Sequence, residues 1–262
     1  MQELEKSIEA NFKKVEVRIA PNVECPALSI VIPTRNEADN IKPLYDRIAA
    51  VADGLNCECV FVDDSDDQTR EQISALSGNA HLSVKCLTRD GVDRKGGLST
   101  AVVAGIRHSQ GEFVVVIDSD LQHPPEMIPR LLQIVMNNKF DLAVASRYMA
   151  GGSNAGLSGL IRNLVSRLST LVIHLLFPSA RSTSDPLSGF FLIRRTQIDI
   201  NRFQPTGFKI LLEILVTQAP LRVVDLPFAM DERHSGQSKA SVREGLRFMK
   251  HIWLLITNVK RH

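Results

Sequence analysis

The amino-acid sequence predicts an α/β fold whose mainly parallel central sheet is covered by helices on both faces. Two observations carry this prediction. Short, nearly continuous apolar runs alternate with segments whose apolar residues recur at helical spacing, a pattern typical of buried strands joined by crossover helices. In addition, polar and acidic residues directly follow several apolar runs, as expected at the carboxyl ends of parallel strands, where such sheets bind ligands.

The predicted elements begin at residue 28 and follow one another in a regular order. Leu28–Ile32 is a short apolar run that ends at a proline, and Cys59–Val62 is a similar run that ends at two aspartates. Between them, Ile41, Leu44 and Ile48 recur at the spacing of one helix face. The same patterns predict strands at 28–32, 59–62, 82–87, 113–117 and 142–145, and helices at 39–51, 98–108 and 126–137.

The composition is that of a folded chain in water. Hydrophobic residues make up 44% of the 262 residues, and 31 lysines and arginines face 29 acids. These values exclude a disordered or collagen-like protein, and a net charge of +2 is too small to predict a nucleic-acid partner. The first residues show no secretory signal pattern, and no stretch reaches the ~18 uninterrupted apolar residues of a spanning helix. Four cysteines in or beside apolar runs are expected to be buried free thiols of a reduced, cytoplasmic protein: Cys25, Cys57, Cys59 and Cys86.

Two of the strand ends are strongly acidic, which predicts a metal site. The carboxylates of Asp63–Asp67 and of Asp118 and Asp120 would repel one another without a counter-charge, and a divalent cation is an economical one. Asp63–Asp67 has a second interpretation, as loop acids that cap the following helix. In extended chain, Asp118, Asp120 and Gln122 point to the same side, and their hard oxygens suit Mg²⁺ or Mn²⁺ holding a diphosphate rather than zinc.

Eight motifs along the chain resemble those of family 2 glycosyltransferases, and within them the polyprenyl-phosphate (dolichyl-phosphate) mannose synthases. Any one of these motifs is weak, but together, in the family's order, they cover about residues 27–250. They are Val31–Glu37, Phe61–Ser65, Lys95–Ala101, Val116–Glu126, Ser146–Tyr148, Ser188–Phe190, Gly207–Glu213 and Arg233–Lys239.

The resemblance implies a glycosyltransferase A fold and the inverting transfer of mannose from GDP-mannose to a polyprenyl (dolichyl) phosphate at the cytoplasmic membrane face. It divides the chain into an N-terminal extension (1–24), a catalytic domain (25–240) that includes an interface helix at about 157–177, and a C-terminal amphipathic helix (241–262). A glucosyl or other hexosyl transfer from a UDP-sugar is the alternative. A soluble family 2 transferase acting on a saccharide and a nucleotide-sugar-binding protein without turnover are further alternatives.

The resemblance also assigns residues to roles. The nucleoside pocket would be lined by Pro33, Arg35, Glu37 and Asp64. The Mg²⁺ or Mn²⁺ ligands would be Asp118, Asp120 and Gln122. The acceptor phosphate would be bound by Arg147, Arg162 and Ser166. The donor diphosphate would be neutralised from a mobile loop by Arg233 and Lys239. Of these, the catalytic set would be Asp120, Arg147, Arg233 and Lys239.

Three positions depart from the family pattern. Arg35 stands where an aromatic residue is usual, so a nucleobase would stack on a guanidinium group instead. Asp63–Thr69 lacks the usual glycine and proline, and Ser99 replaces a glycine at a helix entrance, where it can still cap.

Two apolar stripes at helical spacing predict contact with a membrane surface. The first runs from Leu157 to Leu175, and Arg162 and Ser166 are four residues apart on its helix. The second runs from Val242 to Ile256, carries Trp253 and is accompanied by several basic residues. Basic amphipathic helices with a tryptophan favour anionic membrane interfaces. The alternative is that both helices are buried in the core.

Overall fold

The computed structural model describes residues 15–18, 26–137, 139–149, 152, 160–203, 209–218, 220–231 and 242–259. Within this part of the chain, the backbone forms one sheet of eight strands with helices on both faces. The strands are β1 Val15–Arg18, β2 Leu28–Thr34, β3 Cys57–Asp63, β4 Leu82–Thr88, β5 Phe113–Val116, β6 Leu142–Ser146, β7 Phe191–Arg194 and β8 Val223–Pro227. The helices are α1 Ala38–Val51, α2 Thr69–Ala75, α3 Leu98–His108, α4 Ile128–Met136, α5 Leu160–Leu176, α6 Ile210–Thr217 and α7 Val242–Val259.

The strand order in the sheet is β1-β4-β3-β2-β5-β7-β6-β8. The pairs β2–β3, β2–β5, β3–β4 and β6–β8 are parallel, whereas β1 pairs antiparallel with β4 at one edge. β7 lies inside the sheet and runs antiparallel to both of its neighbours, β5 and β6. The residues that precede β7 therefore lie at the same edge as the residues that follow β5 and β6.

The predicted fold class is confirmed, and each predicted strand and helix is present within a few residues of its expected ends. The helix predicted at 126–137 is divided into a short 3₁₀ helix, Pro125–Met127, and α4. Pro129 in the first turn of α4 explains this division, since a proline fits the start of a helix but not its interior. β1, within the expected extension 1–24, is a strand that the sequence did not predict.

Two apolar cores lie on the two faces of the sheet. One is formed with α1 and α4, whose Ile41, Ile48 and Leu131 are fully buried. The other is formed with α3, α5, α6 and α7. Gly105 allows α3 to approach β2 closely, because a Cβ atom there would lie 2.4 Å from Cγ1 of Val31.

The cysteines in the described part of the chain are buried, as predicted. Cys57, Cys59 and Cys86 are free thiols inside the first core. Burial raises the pKa of Cys57 to about 12, so this thiol is protonated and unreactive at neutral pH. Cys25 lies outside the described residues.

The C-terminal helix α7 divides its apolar stripe between the core and the surface. Ile252 and Leu255 pack into the second core, and His251 is buried beside Glu213 of α6. Trp253 and Met249, in contrast, are each 63% exposed. The core alternative therefore holds for Ile252, which does not belong to a lipid-facing stripe, whereas membrane contact of the exposed side stays a prediction. Among the described residues, no helix is both long and apolar enough to cross a bilayer.

Candidate active site

The polar residues that the sequence singled out meet at one edge of the sheet. β2, β3, β5 and β6 end at this edge, and the segment before β7 enters it. The edge divides into a part built by the ends of β2 and β3, a central part after β5, and a third part built after β6 and before β7.

The end of β2 is joined to the end of β3 by backbone and side-chain hydrogen bonds. The amide of Asn36 donates to Ser65 Oγ (2.8 Å), and the amide of Glu37 donates to Thr69 Oγ1 (2.9 Å). Asn36 has a positive φ of 54°, which asparagine tolerates better than most residues. This turn leaves Arg35 exposed and buries Glu37, whose carboxylate accepts from Asn40 Nδ2 (2.6 Å).

Arginines neutralise the acids at the end of β3. Asp64 and Arg89 are both buried and form a two-point ion pair, with Nε–Oδ1 and Nη2–Oδ2 distances of 2.7 and 2.5 Å. Arg94 Nη1 lies 2.5 Å from Asp66 Oδ1, and this hydrogen bond lowers the pKa of that carboxyl group. Asp64 and Asp66 therefore have counter-charges from the protein and, contrary to expectation, do not require a divalent cation. Their counter-charges come from the 3₁₀ helix Gly91–Arg94 and the residues just before it.

The segment after β5 forms a tight turn that brings its polar side chains together. The Gln122 amide donates to Asp120 Oδ1 (3.1 Å), and Leu121 between them has a positive φ of 63°. A non-glycine residue in this conformation costs energy, and such strain often marks a functional turn. Ser119 Oγ donates to the carbonyl of Pro33 (3.2 Å), so this turn is attached directly to the predicted nucleoside pocket.

His123 supports the turn as a neutral side chain. Its ring stacks on Phe190 with centroids 5.3 Å apart, and burial lowers its pKa to about 4. Its Nδ1 atom accepts from the Asp118 amide at 3.2 Å, which places the ring proton on Nε2 at neutral pH. His123 therefore holds the backbone of Asp118 without adding a positive charge.

The donor set Asp118, Asp120 and Gln122 fits a hard divalent cation. The Gln122 side chain donates through Nε2 to the carbonyl of Asp231 (3.4 Å), so its oxygen points away from that carbonyl. Gly189 leaves space beside Asp118, because a Cβ atom there would lie 3.0 Å from Asp118 Oδ2. Two carboxylates and one amide are an incomplete shell that diphosphate oxygens and water can complete around Mg²⁺ or Mn²⁺. Within the described ranges, no group of three histidine, cysteine or acidic side chains offers an alternative site.

Arg147 follows β6 and lies beside the segment that enters β7. Its guanidinium group forms a two-point ion pair with the buried Asp185, at 2.8 Å (Nε–Oδ2) and 2.9 Å (Nη2–Oδ1). The next residue, Tyr148, shares a 2.5 Å hydrogen bond with Ser166 Oγ of α5. Arg147 and Ser166, predicted to bind the same phosphate, are thus joined through Tyr148.

Lys209 is a site residue that the sequence reasoning missed. Its Nζ atom donates to the carbonyl of Leu187 (2.9 Å), two residues after Asp185. Burial and the neighbouring Arg147 lower the pKa of Lys209 to about 8, against the attraction of Asp185 and Asp118. The motif Gly207–Glu213 contained this lysine, and its pattern left open the start of an acceptor-side helix or a core helix, without a role for Lys209 itself.

Three predicted site residues cannot be placed with the others. Arg233 and Lys239 lie outside the described residues, and Arg162 belongs to α5 but its side chain is outside the described part. Asp231, two residues before Arg233, is joined to the β5 turn through its amide, which donates to the carbonyl of Gln122 (3.0 Å). The roles of these three residues remain predictions.

Comparison with known proteins identifies the family of the chain. Residues 29–199 match the family described as Glycosyl transferase family 2. The dolichol-phosphate mannosyltransferase of Pyrococcus furiosus is 38% identical over 230 residues, which are 87% of this chain and 63% of that protein. The chain thus spans less than two thirds of that relative. The enzyme of the same name from Saccharomyces cerevisiae is 31% identical over 86% of this chain and 85% of its own length.

Solved structures show the same fold at low sequence identity. Glucosyl-3-phosphoglycerate synthase of Mycobacterium tuberculosis, in complex with Mn²⁺, UDP and its product, has a TM-score of 0.62 at 21% identity, over 89% of this chain and 80% of that one. Mannosyl-3-phosphoglycerate synthase of Rubrobacter xylanophilus has a TM-score of 0.60 at 17% identity, over 87% and 73%. The predicted glycosyltransferase A fold is confirmed by these neighbours.

Proposed function

The chain belongs to glycosyl transferase family 2, and from this membership we propose that it transfers mannose from GDP-mannose to a polyprenyl (dolichyl) phosphate. One observation carries the proposal beyond the relatives' names. The hard-oxygen turn Asp118–Gln122 and the cation Arg147 lie at one sheet edge, where a single short segment binds Arg147 through Asp185 and leaves space beside Asp118 at Gly189. Such a centre has oxygen ligands for a divalent cation on one side and an arginine that can bind phosphate on the other. This arrangement suits transfer between two phosphorylated substrates.

The donor would be bound at the ends of β2, β3 and β5. Asp118, Asp120 and Gln122 would hold Mg²⁺ or Mn²⁺, and when bound the cation would neutralise the diphosphate and stabilise its departure. Pro33, which accepts a hydrogen bond from Ser119, connects the nucleoside pocket to this turn. GDP as the donor nucleotide rests on the resemblance, since the exposed Arg35 replaces the usual aromatic residue.

The acceptor needs no general base, because a phosphate monoester has a second pKa of about 6 and is already anionic at neutral pH. The larger obstacle is the repulsion between two anions. At ~4 Å, two unit charges repel by about 4 kcal/mol even at an effective dielectric constant of 20. Arg147, held in a fixed orientation by Asp185, would offset that repulsion and orient the attacking oxygen. A single direct displacement inverts the anomeric carbon and gives a β-linked product from an α-linked donor.

A donor panel tests the proposed substrates. The protein is incubated with a polyprenyl phosphate, Mg²⁺ or Mn²⁺, and GDP-mannose, UDP-glucose or another nucleotide sugar, and the glycolipid is identified by mass spectrometry. We expect β-linked mannosyl phosphate lipid from GDP-mannose and no product after chelation. Transfer from UDP-glucose instead would support the alternative hexosyltransferase, and transfer to a saccharide only would support the soluble transferase.

We also propose that the protein is peripheral on the cytoplasmic face of a membrane. On α5, the side chains of Leu168, Leu171 and Leu175 are 57%, 56% and 67% exposed. On α7, Trp253 and Met249 are exposed as well. These apolar groups would enter the interface, and the exposed Arg167 and Lys250 beside them in sequence suit anionic head groups.

Vesicle binding tests the membrane contact. We expect Leu171→Ser/Leu175→Ser and Met249→Ser/Trp253→Ser each to reduce sedimentation with anionic vesicles several-fold, because each removes buried apolar area at the interface. Met136→Ser is the matched control, since this methionine is 52% exposed on α4, against the other face of the sheet. Equal binding of all variants would contradict the proposal. Ile252 is left unchanged because its loss would damage the core.

A further inference from the structure

A short segment before β7, Asp185–Gly189, contacts three different functional groups at alternate positions. Asp185 binds the guanidinium group of Arg147, the carbonyl of Leu187 accepts from Lys209 Nζ, and Gly189 lies against the Asp118 carboxylate. The segment therefore sets the spacing between two cations and one carboxylate of the proposed metal site. We call it the 185–189 segment.

The 185–189 segment is firmly attached to the sheet. Ser188 Oγ donates to the carbonyl of Ala145 in β6 (2.9 Å) and accepts from the Phe190 amide (3.1 Å). The Ser188 amide donates to the carbonyl of Asp185 (3.1 Å), which closes a turn. Asp185, Leu187 and Ser188 are all buried. The groups that this segment contacts are thus held in place before any substrate binds.

Two cations next to each other in a partly buried site are unfavourable by themselves. Burial disfavours the charged form of Lys209, and the positive charge of Arg147 disfavours it further. These two effects lower the pKa of this lysine. Asp185 and Asp118 offset only part of this effect. A phosphate oxyanion placed between the two cations would relieve the repulsion, and lysine and arginine are the two side chains that commonly bind phosphate.

We propose that Lys209 binds the acceptor phosphate together with Arg147. This inference rests on the proposed function and names a further residue of the same site. We assign Lys209 to the acceptor and not to the donor because of its neighbour Arg147. The residue after Arg147, Tyr148, is hydrogen-bonded to Ser166 on α5. α5 carries the exposed apolar side chains that would meet the lipid.

The test compares the binding of the two substrates in Lys209→Met, which removes the charge and keeps a long side chain. We expect the dissociation constant of farnesyl phosphate for the protein loaded with GDP and Mn²⁺ to rise about tenfold or more, as for the loss of a hydrogen bond to a charged group. The dissociation constant of GDP with Mn²⁺ should stay within about twofold. Lys209→Arg should restore part of the affinity for farnesyl phosphate, because it restores the charge.

Lys42→Met is the control for removing one positive charge, since Lys42 lies on α1 in an exposed pair with Asp46. It should change neither affinity. An equal or larger loss of GDP affinity in Lys209→Met would overturn the proposal by placing Lys209 on the donor side. Unchanged affinities for both substrates would also overturn it, and would leave Lys209 a scaffold residue that holds Leu187.

Inorganic phosphate separates this proposal from the proposed function. If the unmodified protein fails to bind farnesyl phosphate or to transfer mannose, the lipid acceptor is wrong. The protein loaded with GDP and Mn²⁺ is then tested with inorganic phosphate. An affinity for inorganic phosphate that falls about tenfold in Lys209→Met would still support Lys209 as a phosphate ligand. Phosphate binding that does not respond to Lys209→Met would reject the role of Lys209 whatever the acceptor is.

Discussion

The two acidic strand ends look alike in sequence but differ in what neutralises them. At the end of β3, Asp64 is buried against Arg89 and Asp66 is paired with Arg94. At the end of β5, the ring beside Asp118 is that of His123, whose pKa burial lowers to about 4, so the ring is neutral at neutral pH. A count of aspartates therefore does not identify a metal site. The β5 end differs in that the Gln122 amide donates to the Asp120 carboxylate and a neutral histidine ring accepts from the Asp118 amide.

The largest expected difference between the two ends is in catalysis. Asp120→Asn should lower the transfer rate about 10³-fold or more, because it removes a hard ligand from the ion that neutralises the diphosphate. Chelation should have a similar effect, and the affinity for Mn²⁺ should fall in parallel. Asp66→Asn, at the other acidic end, is the control and should keep nearly the full rate. A comparable loss in both variants would remove the distinction between the two ends.

The second difference is in stability. Arg89→Met leaves the buried carboxylate of Asp64 without its partner, which should cost about 3–5 kcal/mol in the free energy of unfolding measured with urea. Arg94→Met should cost clearly less, because its partner Asp66 is exposed. The affinity for Mn²⁺ without nucleotide should not change in either variant. Weaker Mn²⁺ binding in Arg89→Met would mean that the β3 end contributes to the metal site after all.

The smallest expected difference is in the response to pH. The hydrogen bond to Asp66 raises the pKa of Arg94 at the β3 end, so this arginine keeps its charge, whereas burial lowers the pKa of Lys209, which faces Arg147, Asp185 and Asp118, to about 8. Because the acceptor phosphate is already doubly ionised above pH 7, the KM for acceptor should rise about tenfold between pH 7 and 9.5 as the lysine loses its proton. The affinity for GDP should remain constant, and Lys209→Arg should abolish the rise. A flat profile in the unmodified protein would show that this charge is not used.

Periodicity was sufficient to predict β2 to β6 but not β1, β7 and β8. β2, β3 and β4 are seven-residue strands that are buried almost throughout, so their apolar runs stand out. β7 has only four residues, and β8 is half-buried and contains an aspartate and a proline. Such strands form because neighbouring strands offer hydrogen bonds. Those neighbours are distant in the sequence, so the local pattern does not indicate them.

The candidate site shows the same limit. The spacing of Asp118, Asp120 and Gln122 predicted side chains on one side of an extended chain, whereas the structure places these residues in a turn in which the Gln122 amide donates to Asp120 Oδ1. The partners of Arg147 and Asp64 could not be predicted, because Asp185 and Arg89 lie 38 and 25 residues away in the chain. Lys209 was hidden for a different reason, since the apolar helix that follows it dominates the local pattern.

The antiparallel direction of β7 has a consequence for how acceptor recognition can be changed. The chain leaves the reaction centre at Arg147, passes through α5, and returns to the same centre at Asp185. Residues 148–184 therefore form a cassette whose two ends are anchored side by side, by the ion pair of Arg147 with Asp185. Exchanging this cassette between relatives would replace the helix that we propose to face the acceptor without altering any strand of the sheet, which makes it a suitable unit for recombination and for tests of lipid selectivity.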